Sequence, residues 1–180
     1  SNVAKYMHSL MAVELNQDVQ TSSNYMFFAC FNLKNVDLTQ TGLTTIAFAS
    51  FSYGLSIINL KFPTNLSVIG GQSCVYNSID EIILPSTVTE INTSAFLSCY
   101  GLGKIHIVAT IPPTLGNTVF SGLPSNFIIY VPVGYGDTYK SAEGWSTYAD
   151  HILEEGQTPN RMMLAKFNSA KTDEPQDDMR

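Results

Sequence analysis

Five stretches of this 180-residue chain repeat one phrase: an aliphatic residue, another three positions on, and a third two after that. They are Leu10-Met-Ala-Val13-Glu-Leu15, Leu33-Lys-Asn-Val36-Asp-Leu38, Leu55-Ser-Ile-Ile58-Asn-Leu60, Ile79-Asp-Glu-Ile82-Ile-Leu84 and Leu102-Gly-Lys-Ile105-His-Ile107. Their first residues, 10, 33, 55, 79 and 102, lie 22 to 24 apart. A fixed period in the twenties marks stacked units that each contribute one short strand and cannot bury an apolar face alone. The chain is therefore expected to form a solenoid, in which each unit contacts only its neighbours.

The clearest unit runs from Ile79 to Gly101. Ile82 and Leu84 alternate with Glu81 and Ile83, which is strand periodicity, and Pro85 stops the strand because it cannot donate to a ladder. Val88 and Ile91 form a second apolar pair on an extended return segment, repeated as Leu43/Ile46 and Leu66/Ile69. Ser94 to Cys99 then reads as a compact helical or 3-10 turn that buries Phe96. Phe27, Phe51 and Phe120 hold the matching position in other units, and Cys74 replaces the ring in its own. Phenylalanine suits a wide gap between layers, where an aromatic buries about 150–250 Å². Cys30 and Cys99 occupy one position three layers apart. At about 4.8 Å per layer that separation is roughly 14 Å, beyond the ~7 Å reach of a disulfide. The cysteines are expected to be small buried hydrophobes.

Apolar residues make up 44% of the chain and charged residues 13%, against about 25% charged in ordinary soluble domains. Burial of both flanks of every unit accounts for the shortfall. Net charge is −6 with no basic run, so nucleic acid and anionic membranes are unsuitable partners. No apolar stretch reaches the ~18 residues of a membrane span. The opening Asn2-Val-Ala-Lys-Tyr6-Met-His-Ser-Leu10 resembles the second half of a unit, so the chain reads as a segment of something longer. The lack of a secretion-type leader then carries no weight.

After Leu123 the period stops. Phe127-Ile-Ile-Tyr-Val131-Pro132 reads as one more strand, followed by Tyr135, Tyr139, Trp145, Tyr148 and Ile152. A terminal unit must cover the open core of the last repeat, and aromatic residues do so with few positions. The stretch from Leu153 to Arg180 is polar and ends in acidic pairs. Arg161 to Lys171 is a candidate short helix, and the remainder reads as a tail or linker.

Candidate chemistry is sparse. His8, His106 and His151 are not spaced for a metal, and HExxH and CxxC are absent. Asp150-His151 with Ser146 lacks the strained nucleophile turn and oxyanion hole of a triad. Gly70-Gly71 and Gly134-Tyr-Gly136 lie outside any phosphate-loop pattern and suit tight turns. No catalytic residue, metal site or cofactor is expected, and the chain is read as a non-enzyme. The outward strand positions say more. One column reads Glu14, Asp37, Asn59, Ile83, His106, and the one before it Ala12, Asn35, Ile57, Glu81, Lys104. Alternate residues share a face, so Asn35, Asp37, Ile57, Asn59, Glu81, Ile83, Lys104 and His106 form the candidate binding surface. Ile57 and Ile83 are placed there as a small apolar spot.

The units Ile82-Ile-Leu-Pro85, Val88-Thr-Glu-Ile91 and Ala95-Phe96-Leu-Ser-Cys99 resemble the BspA-like leucine-rich repeat. The stretches Ile111-Pro-Pro113, Ile129-Tyr-Val-Pro132, Tyr139-Lys-Ser-Ala-Glu-Gly-Trp145 and Tyr148-Ala-Asp-His-Ile152 are similar to the end of such arrays in Bacteroides-type proteins. The match covers residues 10 to 152 and is degenerate in the first two units, where Ser22-Ser23-Asn24 replaces the expected isoleucine. The resemblance implies an α/β leucine-rich-repeat solenoid of about five units. Its array would span residues 1–125, with a cap at 126–153 and a tail at 154–180. It also implies a secreted or surface-anchored protein linked to adhesion. The chain is read as an extracellular or cell-surface, monomeric binding module whose strand face holds a host matrix protein, a glycan or another cell. The competing expectation is a structural spacer within a larger surface or phage protein. A hydrolase fragment with accessory repeats is the third.

Overall fold

The computed structural model describes residues 6–160 and Met163. A complete layer contributes a face strand, a back strand and a turn, and the first and last layers of the described residues lack the back strand. The face strands are β1 (Ala12–Glu14), β2 (Asn35–Asp37), β4 (Asn59–Lys61), β6 (Glu81–Leu84), β8 (Lys104–Ile107) and β10 (Ile128–Val131). The back strands are β3 (Thr45–Ile46), β5 (Val68–Ile69), β7 (Glu90–Ile91) and β9 (Thr114–Leu115). All pairings are parallel. The back sheet runs unbroken as β3-β5-β7-β9. The face sheet is split into β1-β2-β4 and β6-β8-β10-β11, where β11 (Ile152–Glu154) follows the cap.

The core is the space between the two sheets. The pairs Leu43/Ile46, Leu66/Ile69 and Val88/Ile91 are fully buried behind the inward face residues of their own layers, Val36, Leu60 and Ile82. Phe27 stacks on Phe51 with centroids 5.6 Å apart, and Phe96 on Phe120 at 6.0 Å. Cys74 fills the place between these ring pairs, and the buried Asn77 takes up the space beside it. Its amide Nδ2 donates to the carbonyls of Phe51 (2.9 Å) and Cys74 (2.8 Å). Gly54 makes room for it, since a Cβ there would lie 2.7 Å from the Ile57 Cδ1 and 2.9 Å from the Asn77 oxygen and one of them would have to shift. The first layer departs from the pattern at Ser22. Its hydroxyl donates to the Thr45 carbonyl and accepts from the Ala47 N–H, doing the work of a missing back strand.

The turns are not the helical segments expected from Ser94 to Cys99. In each turn two residues four apart adopt left-handed backbone: Tyr25 and Ala29, Ala49 and Tyr53, Gln72 and Tyr76, Ser94 and Ser98, Thr118 and Gly122. Alternate N–H groups then close i to i+3 turns, as Phe28 does on Tyr25, or cross to the next layer, as Phe27 does on Ser50 (2.7 Å). Each left-handed non-glycine costs about 1–2 kcal/mol. The return is a third interlayer ladder, which leaves the buried backbone groups paired.

At the carboxyl end, α1 (Gly136–Ser141) and a 3-10 helix (Trp145–His151) bring Tyr139 and Trp145 over the last layer, both fully buried. The Tyr139 hydroxyl donates to the Ala109 carbonyl at 2.8 Å, and the Trp145 Nε1–H to Pro113 at 2.7 Å. β11 extends two residues along the sheet edge beyond Ile152, so Glu154 belongs to a strand and its carboxylate accepts the Gly136 N–H. Of the candidate helix at 161–171 only Met163 lies within the described residues.

The three cysteines are buried and carry thiols rather than a disulfide. Burial pushes the Cys99 thiol up to about 12 and raises those of Cys74 and Cys30. Because the thiolate is the reactive form, the folded protein is expected to resist an alkylating reagent at pH 8. The unfolded, unreduced protein should titrate three thiols, and a count of one would reveal a bridge.

Candidate functional site

The face strands carry two outward rows. Pairing sets Asn35 against Asn59 and Asp37 against Lys61, then Glu81 against Lys104 and Ile83 against His106, with Tyr130 beyond. Seven of the eight candidate residues lie on this face. Ile57 does not: it is fully buried. The third unit sits two residues later than its phrase implies, with Ile57, Leu60 and Phe62 in the core columns and Leu55 and Ile58 exposed. The columns therefore read Asn35, Asn59, Glu81, Lys104 and Asp37, Lys61, Ile83, His106. Lys61 is the residue that the phrase alignment missed. The signal was present in Phe62-Pro63, which matches Leu84-Pro85 and fixes the strand end.

Polar groups on the face are paired across layers. The Asn59 amide donates to the Asn35 oxygen at 2.7 Å. Lys61 Nζ lies 3.3 Å from Asp37 Oδ2, and Lys104 Nζ 3.6 Å from Glu81 Oε2. The Thr39 hydroxyl and N–H, and then Lys61, hold Asp37 below the usual carboxylate range. His106 stacks on Tyr130 at 4.8 Å, and its Nδ1 lies 2.8 Å from Glu155 Oε1. Its Nε2 is 3.6 Å from Glu81 Oε1. Glu155, assigned to the tail by the sequence pattern, thus reaches back onto the face.

The split between β4 and β6 opens a groove of about 750 Å³. Leu60 and Phe62 lie in it together with Lys61, Glu81, Ile83 and Val108. Ile83 and Val108 are 57% and 49% exposed, so the apolar spot expected around Ile57 and Ile83 is instead built by Ile83, Val108 and Phe62. Phe62 is the one ring in a column otherwise held by Leu38, Leu84 and Ile107. Among the described residues no group of three or more His, Cys, Asp and Glu side chains is placed to hold a metal ion.

A parallel-strand solenoid with a 23-residue unit, a separate back sheet and a capped end is the leucine-rich-repeat architecture. Residues 2–126 match the BspA-type leucine-rich-repeat region in six copies, and the chain belongs to that family. Six copies are one more than the five strand phrases. Among solved structures the chain is similar to the pneumococcal vaccine antigen PcpA, at 14% identity and a TM-score of 0.56 over 79% of this chain. It is also similar to a leucine-rich-repeat protein of Bacteroides ovatus, at 16% identity and 0.49 over 67% of this chain. The matched region spans 39% of each of those chains. No curated protein sequence is significantly similar to the chain.

Proposed function

We propose that the chain is a non-enzymatic binding module of a secreted or cell-surface protein that holds a protein partner, such as a host matrix protein, on its strand face. The observation that carries this reading is the groove at the β4–β6 split, where the exposed Ile83 and Val108 share the lining with the charged Lys61, Asp80 and Glu81. An apolar centre with a charged rim is the usual anatomy of a protein-binding patch. Leucine-rich-repeat domains generally bind proteins, and the family is typically surface-associated, which supports the same reading. Among the described residues no helix is long and apolar enough to cross a membrane.

The test is attachment to immobilised extracellular-matrix proteins. Ile83→Lys combined with Val108→Asp is expected to lower attachment at least tenfold while leaving the melting curve within the small range of surface substitutions. Unchanged attachment with unchanged stability would favour a spacer.

A further inference from the structure

The turn edge carries a surface unlike the face. Phe28, Tyr53, Tyr76 and Tyr100 follow one another from layer to layer with ring centroids 5.4, 5.1 and 6.1 Å apart. Tyr25 and Phe48 branch from the Phe28 end at 5.4 and 5.6 Å. Tyr53 and Tyr100 are 44% and 67% exposed.

Two features set this ladder apart from ordinary ring packing. Tyr53 and Tyr76 occupy left-handed backbone, φ 59° and 56°, at a position that Gly122 fills in the last turn. The left-handed backbone belongs to all five turns, but Ala29, Ser98 and Gly122 hold this position elsewhere, so a tyrosine kept here in two of them, with its ring reaching the surface, points to a use for the ring. The second feature is charge. The turns at 22–31, 47–54, 70–78, 93–101 and 116–123 contain no Asp, Glu, Lys, Arg or His, although the neighbouring face strands are charged.

We infer that the ladder is a binding platform for a linear neutral polysaccharide. Phenol rings offer an apolar face to the C–H side of a sugar ring and a hydroxyl to its rim. The solenoid repeats this offer at nearly even steps, which suits a polymer of like units. Nucleobases also stack on aromatic ladders, but those sites lie beside a positive groove that follows the phosphates. The turns from residue 22 onward hold no Lys or Arg, and the imidazole at the amino end, His8, is stacked on Phe31. An anionic glycan lacks a counter-charge here for the same reason. The rings form a line rather than the broad patch of about 800 Å² per partner that a stable protein interface needs.

The full chain is run by affinity electrophoresis in gels containing hydroxyethyl cellulose, mannan or galactan, with heparin as the charged control. Retardation in at least one neutral gel and none in heparin is expected. Tyr53→Gly with Tyr100→Ser should weaken that retardation at least tenfold. Glycine suits the backbone at position 53, and Tyr100→Ser alone, at the most exposed ring, serves if the double variant unfolds. Ile83→Lys with Val108→Asp should leave retardation unchanged, which separates this site from the strand face. Migration unaffected by all three neutral polymers would overturn the proposal, as would equal retardation of the tyrosine variants. Concentration-dependent dimerisation abolished by those variants would also overturn it, assigning the ladder to contact between copies.

Discussion

Replacing Phe96 with alanine is expected to lower the unfolding free energy by about 3–5 kcal/mol, the usual cost of removing a buried ring. Phe96 is fully buried and stacks on Phe120 with the rings 12° from parallel. The layer on its other side offers only Cys74 at the matching position, so no neighbouring ring can close into the cavity. Its turn is also fixed to the next layer, through the Phe96 N–H on the Val119 carbonyl at 3.1 Å. At about 2–4 °C per kcal/mol for a chain of this size, the melting midpoint should fall by about 6–20 °C. A linear array adds a second expectation: weakening one interface lets the layers on either side unfold separately, so the denaturant slope should drop as well. A midpoint that hardly moves would show that the ring is not packed between layers. Phe27→Ala, nearer the amino end, should cost less, because fewer layers depend on it.

Much of the architecture is legible in the sequence because burial in a solenoid depends on strictly repeated positions. Ile79, Ile82 and Leu84 announce the strand, Val88 and Ile91 the return, and Phe96 the gap between sheets. The aromatic residues after Leu123 likewise announce a cap. What is not legible depends on registers and angles that side-chain type does not encode. Leu55-Ser-Ile-Ile58-Asn-Leu60 satisfies the apolar spacing as well as Ile57-Ile-Asn-Leu60-Lys-Phe62 does. Only the proline after Phe62 separates the two, and a shift of two preserves strand alternation while moving Ile57 from surface to core. The left-handed turns are hidden for another reason: Tyr53, Tyr76 and Gln72 are residues for which such a conformation is not expected, and interlayer hydrogen bonds override the local preference. The groove at β4–β6 follows from the broken face sheet, a property of two layers together. Glu155 sits on the face because β11 pairs in parallel with β10, a return that the polar composition of the segment gives no sign of.

The cap should prove as important as any repeat. Trp145→Ala is expected to cost about 3–5 kcal/mol, since the indole is fully buried, lies edge-on to Tyr139 at 5.0 Å and contacts Phe120 at 6.1 Å. Packing and hydrogen bonding can be separated with Trp145→Phe. That variant keeps an aromatic body but leaves the Pro113 carbonyl without the indole N–H, a loss of about 1–3 kcal/mol for a buried polar group. Pro113 enters the back strand β9, so the lost bond loosens the last back strand as well as the cap. Trp145 is the only tryptophan in the chain. Its fluorescence in the parent protein therefore reports the opening of this end alone, while circular dichroism reports the whole array. If the cap seals the solenoid, both signals change together in denaturant, because exposure of the last layer removes the surface on which the others are stacked. Fluorescence that changes well before the dichroism would mean that the cap opens independently. In that case Trp145→Ala should leave the main transition in place, and the stability of the array would rest on the Phe96 layer and its neighbours instead.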